Sequence, residues 1–464
     1  MANSSGNKPI IILLLSGGFI SILNQTTMIT AIPPIMEEMG VSANTGQWLT
    51  TIFMLVNGIM IPVTAFLIER FTTRQLFTTA MSIFTVGTFF AAIAFDFNTL
   101  IMGRIVQSVG AGIMMPLMQS VFLLMFPVKS RGMAMGLVGL VISFAPAIGP
   151  TVSGWIITTY SWRAVFYIIL PIGILEVLIG LKVMRNVTTL TYPKLDIFSI
   201  VLSSFGFGGL LYGFTSAGNN GWGSTITIIS LFIGAIALLF FILRQLRIQV
   251  PMLEFRVFKN PIFTLSVVLP MIAFLGLIGT ETLVPLYMQN MRGFTAMESG
   301  LAILPGALIN GMMSPITGKI FDRYGAKWLG VVGFSIITGS TLAFAFLGIG
   351  TTMLTITMLY AIRMFGISMV MMPATTAGLN QLKDSLIPHG IAMTNTLRQV
   401  AASIGTAVII TVMTISTTSA ESNPAINHPS IHGANIAFMV LTIISAVGIF
   451  LSFFIEKRVP KRNE

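Results

Sequence analysis

Cysteine is absent from the 464-residue chain, so disulfide bonds and thiol chemistry are excluded. Charged residues make up only 8% of the chain, whereas a soluble domain carries about a quarter, so water is not its main solvent. The G-x-x-x-x-G-K-[ST] nucleotide-binding loop is also missing, which excludes ATP as the direct source of energy. No set of nucleophile, base and metal ligands is grouped in the sequence, so we do not predict an enzyme. His428 and His432, in an expected loop at 415–433, are too few ligands for a metal site.

Long apolar runs recur along the whole chain, in which 55% of the residues are hydrophobic and the mean hydropathy is +0.91. Each run is close to the ~20 residues that cross a bilayer as a helix. Because lipid offers no hydrogen-bond partners to free backbone groups, these runs must be helices, and the fold class is an all-α integral membrane protein. Breaks divide them into fourteen predicted spans, near residues 9–32, 47–68, 75–95, 98–126, 133–158, 163–184, 197–217, 224–246, 262–290, 296–320, 328–349, 352–381, 388–414 and 434–456. The first span follows Lys8 without a small-residue cleavage site, so we expect it to be retained and not removed as a signal peptide.

The basic residues indicate how the chain is oriented in the membrane. Of the 25 Lys and Arg residues, only Arg163 and Arg292 fall in loops on one side, and Arg104, Arg363 and Arg398 fall within spans. The others share the opposite side, among them the tail residues Lys457, Arg458, Lys461 and Arg462. The positive-inside rule therefore predicts that both termini are cytoplasmic in a bacterial cell membrane. The net charge of +11 then reflects anchors that face anionic headgroups, so membrane lipids are expected partners and nucleic acid is not.

Three segments of the first half return in the second half at a nearly constant separation. The loop Ala65–Arg74 returns as Gly318–Lys327 with an offset of 253, Met114–Pro116 as Met371–Pro373 with an offset of 257, and Gly132–Met135 as Gly390–Met393 with an offset of 258. The offset exceeds six spans by about two, so spans 7 and 8 are inserted between two repeated halves. We predict a six-helix bundle at 1–186, the inserted spans and their linkers at 187–258, and a second six-helix bundle with its tail at 259–464. Such a repeat is typical of transporters with a substrate path between the halves.

Motifs in the first half follow one another in a recognisable order. The loop Ala65–Arg74 is similar to G-x-L-x-D-R-x-G-R-K, with Glu69 in the acidic place and Thr72 where the second Gly would be. Its second copy keeps Gly318, Asp322, Arg323 and Gly325. Span 4 reads Arg104-Ile-Val-Gln107-Ser108-Val-Gly110, which is similar to R-x-x-Q-G with Ser108 in place of a Gly. Span 5 carries Gly139, Pro146, Gly149, Pro150 and Gly154, similar to the G-x-x-x-G-P-x-x-G pattern of exporters.

At these residues the chain resembles the major facilitator superfamily, and within it the fourteen-span drug:proton antiporters. The lincomycin and multidrug efflux proteins of Gram-positive bacteria are similar over nearly the whole length. The resemblance implies the major facilitator fold, with two six-helix bundles plus two inserted helices. It also implies an antiporter motif at Gly139, Pro146, Gly149, Pro150 and Gly154, which favours export over uptake.

The resemblance suggests two further roles. A conformational latch is expected at Glu69, Arg70, Arg74, Asp322 and Arg323, because a carboxylate between helix ends can accept backbone N–H bonds and pair with Arg. The alternative is a solvated turn held by anchoring charges. Arg104 is linked to proton coupling in the family, and its alternative is an arginine that snorkels to the outer interface.

The first span departs from the family pattern, because many relatives have an Asp where this chain has Asn24. An amide cannot exchange a proton, so that coupling role does not transfer, although Asn24 can orient substrate or water. Two carboxylates remain within spans, Glu281 and Glu176. Since a low dielectric favours the protonated form of a carboxylate, both are candidates for the proton site. We expect Glu281, among Gly and Thr residues, to be the main site and Glu176 to be secondary; the alternative is a structural partner for Arg363 or Arg398.

The remaining polar residues of the spans are candidates for the wall of a substrate cavity. They are Asn24, Asn57, Gln107, Gln119, Asn310, Asn380, Asn395 and Arg398. The predicted function is proton-coupled efflux of small amphipathic or cationic drugs by alternating access, in a monomer that needs no cofactor other than protons. A narrow-specificity metabolite exporter, an uptake symporter, and a non-transporting membrane sensor or scaffold stay open as alternatives.

Overall fold

The computed structural model describes residues 4–455, without the side chains of residues 4–6, 43, 44 and 219. Fourteen helices in this range are long and apolar enough to cross a membrane, which confirms the predicted number of spans. The first six are α1 Ser4–Met39, α2 Ala43–Arg70, α3 Thr73–Ala92, α4 Phe97–Met125, α5 Arg131–Thr159 and α6 Trp162–Val183. They are followed by α7 Ile197–Asn220, α8 Thr225–Arg247, α9 Pro261–Leu286, α10 Ala296–Tyr324, α11 Ala326–Phe344, α12 Met353–Leu379, α13 Ile387–Glu421 and α14 Pro429–Ser452. The basic tail residues Lys457, Arg458, Lys461 and Arg462 lie outside the described residues.

Two helices extend well beyond their predicted spans. The helix α1 has 36 residues and α13 has 35, against predictions of 9–32 and 388–414. At 1.5 Å per residue, helices of this length exceed the ~30 Å hydrocarbon core of a bilayer. Hydropathy marks only the part that lies in lipid, whereas the helix continues wherever its backbone groups bond to one another. The loop predicted at 415–433 is shorter as a result, and His432 lies within α14.

The two copies of the loop motif make their turns differently. In the second copy, Gly325 ends α10 with a φ of 80°, a left-handed conformation that glycine adopts without steric cost. In the first copy, Thr72 has a φ of −63° and caps α3 by accepting a hydrogen bond from the backbone of Gln75. The Gln75 side-chain oxygen accepts a bond from the Thr72 backbone nitrogen, which completes a capping box. The departure of Thr72 from the family pattern therefore reflects a turn that needs no left-handed residue.

The helices form two bundles and an attached pair. Helices α1 to α6 pack with one another, and so do α9 to α14. The bundles meet along α5 with α10 and along α2 with α13, and α7 lies against both α2 and α13. We call the end that carries the α2–α3, α4–α5, α10–α11 and α12–α13 connections the basic end, because Arg74, Lys129, Lys327 and Lys383 lie there. The other end is the opposite end.

The inserted helices α7 and α8 are fastened to each other by polar contacts near the basic end. Asp196 caps α7 and forms an ion pair with Arg244 of α8, with 2.9 Å between Oδ2 and Nε. Burial alone would raise the pKa of Asp196, but hydrogen bonds from Arg244 and Ser199 outweigh it and hold that pKa below its ordinary value. Gln245 donates a further bond to Ser199 at 2.6 Å. The two helices therefore form a unit of their own.

Glycines allow the closest helix crossings inside each bundle. A Cβ on Gly87 of α3 would lie 2.3 Å from the backbone nitrogen of Gln107 in α4. In the second bundle, a Cβ on Gly366 of α12 would lie 2.8 Å from the carbonyl oxygen of Gly333 in α11. Without a hydrophobic driving force between helices in lipid, such close backbone approach supplies much of their association.

We expect Gly87→Ala to lower the thermal unfolding midpoint of the detergent-solubilised protein. The added methyl must push α3 away from the α4 backbone, and overpacking of this kind costs about 1–3 kcal/mol. Gly339→Ala on α11 is the matched control, because its Cβ would meet no atom within 4 Å. Equal midpoints for the two variants would contradict the tight crossing.

Candidate functional site

Close contact between the bundles at the basic end involves Asp322. This residue of α10 accepts hydrogen bonds from the backbone nitrogens of Gly132 at 2.7 Å and Met133 at 2.9 Å, at the start of α5. A helix N-terminus favours a negative charge at this position, because its free N–H groups and its dipole are both satisfied there. Asp322 thus joins the two bundles, while its role as a latch stays a prediction.

The first copy of the motif makes its contact through a side chain. Oε1 of Glu69 in α2 lies 2.9 Å from Nε2 of His389 in the first turn of α13. The other ring nitrogen of His389 accepts a 3.4 Å bond from the backbone of Glu254, and the imidazole is buried. Glu69 therefore meets an imidazole where the sequence predicted backbone N–H groups.

In the described part of the chain, the arginines of the motif do not pair with its two carboxylates, Glu69 and Asp322. Arg70 donates to the carbonyl oxygen of Pro193 at 2.7 Å, and Arg323 lies over the ring of Tyr324 at 5.3 Å. Arg74 is exposed. None of these three forms an ion pair within residues 4–455, so the expected pairing of the carboxylates with motif arginines is not observed.

The ion pair between the bundles comes from another arginine. Arg131, at the start of α5, lies 3.3 Å from Asp384 and donates a 3.3 Å bond to Oδ1 of Asn380. Asn380 was predicted to line the cavity, but it lies just after α12 and belongs to these contacts at the basic end.

The closest contact along the seam between α5 and α10 lies near the basic end. A Cβ on Gly132 would lie 2.4 Å from the Gly318 carbonyl oxygen, and one on Gly318 would lie 2.2 Å from that of Gly132. Towards the opposite end, a Cβ on Gly154 or Gly300 would meet no atom within 4 Å. The closest backbone contact of α5 with α10 is therefore at the basic end, and these two glycine positions towards the opposite end do not share it.

The span-5 motif lies along this seam and against α1. A Cβ on Gly139 would lie 2.8 Å from Met372 of α12, and one on Gly149 would lie 2.2 Å from Thr26 of α1. Pro146 and Pro150 lie within the same helix. The motif thus places small residues where α5 contacts α1 of its own bundle and α12 of the other bundle.

Arg104 is at the centre of a polar network in the first bundle. Its Nη1 donates to Asn24 of α1 at 2.5 Å and to Gln107 at 2.9 Å, and its Nε donates to the carbonyl oxygen of Leu49 in α2 at 3.3 Å. Gln107 in turn donates to Thr88 of α3 at 2.8 Å. The Arg104 side chain is fully buried, so it points into the bundle and does not snorkel to an interface.

Glu281 belongs to a corresponding network in the second bundle. The Tyr360 hydroxyl of α12 lies 3.4 Å from its Oε1, and Arg363, one turn further along, interacts with its charge. Arg363 donates to Thr341 of α11 at 3.1 Å. Tyr360 and Arg363 are buried, whereas Glu281, five residues before the end of α9, is the only residue of that helix after Pro261 that is exposed. Glu281 therefore contacts α12 and keeps part of its own surface exposed.

The two networks are related by the internal repeat. Asn24, Arg104, Gln107 and Thr88 match Glu281, Tyr360, Arg363 and Thr341, with offsets of 257, 256, 256 and 253. In the first bundle, Arg104 of α4 bonds to α1, and Gln107, one turn further along, bonds to a threonine of α3. In the second bundle, Tyr360 of α12 bonds to α9, and Arg363, one turn further along, bonds to a threonine of α11. The charges are transposed: an arginine faces an amide in the first bundle, and a tyrosine faces a carboxylate in the second.

A third polar cluster bridges the bundles. Asn395 of α13 donates to Gln119 of α4 at 2.9 Å, and Arg398 donates to Asn395 at 2.6 Å. Arg398 also lies 5.5 Å from the ring of Phe274 in α9. The structure thus brings together three of the predicted cavity residues.

The other predicted site residues lie outside these clusters. Glu176 of α6 is buried beside Ser16 of α1. Asn57 of α2 lies where Gly112 of α4 packs, and Asn310 is buried in α10. The structure does not join them to the networks of Arg104 and Glu281.

Sequence reasoning missed His389 and Tyr360. The offset of 258 that relates Gly132 to Gly390 also relates Arg131 to His389, and an offset of 256 relates Arg104 to Tyr360. Applying the repeat to every polar residue, and not only to the motifs, would have singled out both positions.

Comparison with known proteins places the chain among membrane transporters. The sequence profile of the Major Facilitator Superfamily matches residues 14–406. The uncharacterized MFS-type transporter YcnB of Bacillus subtilis is 54% identical over 457 residues, which cover 98% of this chain and 96% of that protein. The lincomycin resistance protein LmrB of Listeria innocua is 44% identical over 97% of both chains. Among solved structures, the human organic anion transporter MFSD10 matches with a TM-score of 0.69 over 96% of this chain and 99% of that chain, at 12% identity, so it shows the fold alone.

Proposed function

The chain belongs to the Major Facilitator Superfamily, and from that premise we propose that it exports small amphipathic compounds in exchange for protons. It is a multi-pass membrane transporter with the major facilitator fold, and not an enzyme. The similarity to a protein named for lincomycin resistance supports drugs as the exported compounds. The observation that supports the proton coupling is Glu281, a carboxylate five residues before the end of α9 and the only residue of that helix after Pro261 that is exposed.

Glu281 is placed so that its protonation changes the contacts around it. Without a proton it attracts Arg363 and accepts from Tyr360, both of which belong to α12. With a proton it loses its charge and its attraction for Arg363, so α9 and α12 are held together differently in the two forms. A ligand or proton can shift a conformational equilibrium only through such a difference.

We infer that the proton reaches Glu281 from outside the cell. The positive-inside rule places the basic end, where polar contacts join the two bundles, in the cytoplasm. The contacts of Asp322, Glu69 and Arg131 at the basic end then keep the cytoplasmic side closed in this state. In the alternate state these contacts separate, and the proton leaves to the cytoplasm while substrate enters.

An uptake symporter would use the same fold with the opposite direction of substrate movement. The span-5 motif at Gly139, Pro146, Gly149, Pro150 and Gly154 favours export. A narrow-specificity metabolite exporter differs only in its substrates, and a sensor would not move them at all.

We expect reconstituted protein to transport a fluorescent amphipath against its gradient when a pH gradient is imposed across the vesicle. The amphipath should move in the direction opposite to the protons and stop when a protonophore dissipates the gradient, because the proton supplies the only driving force. Protein-free vesicles report passive leak. Transport that ignores the pH gradient would refute antiport, and proton-driven uptake in the same direction as the proton would support the symporter.

A further inference from the structure

Positive charge in the middle of the spans exceeds negative charge. Arg104, Arg363 and Arg398 lie there, whereas the carboxylates within the spans are Glu281, which is close to Arg363, and Glu176, which is beside Ser16. Arg363 has Glu281 as a counter-charge, and Arg104 is held by four neighbours, including the ring of Phe53 at 4.3 Å. Arg398 has neither arrangement.

From this we propose that Arg398 binds the anionic group of the exported compound, so that the substrates are amphipathic organic anions. The inference rests on the proposed export function, and it names the chemical class that this function acts on. A charged arginine in lipid is costly and is usually paired or directed into a polar cavity, so an arginine buried without an ionic partner is a candidate for binding an anion.

The guanidinium of Arg398 keeps most of its donors unused. It is buried, with 7% of its surface exposed, and only Nη2 has a hydrogen-bond partner, Oδ1 of Asn395. Its Nε and Nη1 have none. No described carboxylate forms an ion pair with it.

The neighbouring Gln119 adds a further N–H donor without a partner. The side-chain oxygen of Gln119 accepts a bond from the side-chain nitrogen of Asn395, and its own Nε2 has no partner. The groups without a partner on Arg398 and Gln119 are all N–H donors. A carboxylate offers acceptors only, and it offers them to an arginine in matching geometry. Phe274 supplies an apolar wall 5.5 Å from the guanidinium, which suits the carbon chain of an amphipath.

The fold itself does not call for an arginine at this position. The offset of 258 that relates α13 to α5 places Leu140 opposite Arg398 in the repeat. The first bundle therefore packs with an aliphatic residue where the second carries a buried charge. A charged residue whose burial in the membrane costs free energy, and which the fold does not require, is a candidate for binding a ligand.

The position of the cluster between the bundles fits capture from the cytoplasm. Gln119 belongs to the first bundle, and Asn395 and Arg398 belong to the second. When the basic end opens, α4 and α13 separate and the bond between Gln119 and Asn395 breaks. A carboxylate can then reach Arg398, and both bundles can contact it when they close again.

A binding experiment without any proton gradient tests this proposal separately from the proposed antiport. Fluorescent dodecanoate, its neutral amide and a matched dodecylammonium compound would be titrated against detergent-solubilised protein. We expect wild type to bind the carboxylate about tenfold more tightly than the amide, as a charge-assisted hydrogen bond implies. Arg398→Gln should remove that preference while binding of the amide stays the same.

Arg398→Lys and Gln119→Leu complete the test. The ammonium of lysine keeps the charge but not the planar fork, so we expect a partial preference, and this variant serves if Arg398→Gln does not fold. Gln119→Leu should weaken carboxylate binding without abolishing the preference. The proposal is wrong if wild type favours the cation, shows no preference or binds none of the three, or if the carboxylate preference survives in Arg398→Gln.

Discussion

Replacing Glu281 by Gln should lower gradient-driven export by about 100-fold, a loss at the upper end of ordinary coupling free energies. Glutamine keeps the size and the hydrogen-bonding capacity of the side chain, so the contact with Tyr360 can persist. It cannot take up or release a proton, so the difference between the two forms of the site is lost. Initial rates in proteoliposomes under an imposed pH gradient measure the effect.

The matched control is Glu176→Gln, the same chemical change at a carboxylate that the structure places beside α1 and away from α12. We expect this variant to retain most of its gradient-driven rate. Full coupling in Glu281→Gln together with loss in Glu176→Gln would move the proton site to α6. Because the substrate site proposed at Arg398 is a separate cluster, Glu281→Gln should still bind a fluorescent carboxylate.

Replacing Gly318 by Ala should hold the basic end open and reduce export about tenfold. The added methyl would lie 2.2 Å from the carbonyl oxygen of Gly132, a backbone atom that cannot rotate away. Overpacking by one methyl costs about 1–3 kcal/mol, and here the cost falls only on the state in which α5 and α10 touch. The variant should therefore fold normally and shift the population towards the state in which these helices are apart.

Spin labels can report this shift directly, because the absence of native cysteine leaves no background labelling. Lys129→Cys and Lys383→Cys place exposed labels on the two bundles near the contact of Arg131 with Asp384. Gly318→Ala should lengthen the distance between them. Gly300→Ala lies on the same helix where a Cβ meets no atom within 4 Å, so it should leave both the distance and the transport rate unchanged. Identical distances in all three proteins would show that this contact does not control closure.

The physics of the bilayer explains why so much of the fold could be predicted. Spans are set by length and hydropathy, and the repeat is visible because the motifs at Glu69 and Asp322 recur in the same order. The helix ends were less predictable, since α1 and α13 continue past the apolar runs. Thr72 was read as a departure from a glycine, and only the backbone shows that its turn has no left-handed residue.

Contacts between distant segments were the part that sequence could not supply. Glu69 lies 320 residues from His389, and nothing in the sequence indicated which group at the start of span 13 would meet it. The sequence left two interpretations of Arg104 open, a snorkelling arginine or a functional one, because the direction of its side chain depends on the packing of α1 and α2. The exposure of Glu281 depends likewise on how α12 is placed beside α9. These features follow from side-chain direction and helix rotation, which hydropathy does not encode.

The inserted pair has a consequence for molecules that are dissolved in the lipid. Helix α7 lies along α2 and α13, with Trp48 near Tyr212 and Trp222 bonded to Thr411, so one of the two lateral crevices between the bundles is walled off from the acyl chains. Within the described residues, α5 and α10 border the other crevice without such a cover. A lipophilic compound that diffuses within the bilayer therefore meets α7 on one side of the bundle interface, whereas on the other side it meets α10 and the helix that carries Gly139 and Gly149.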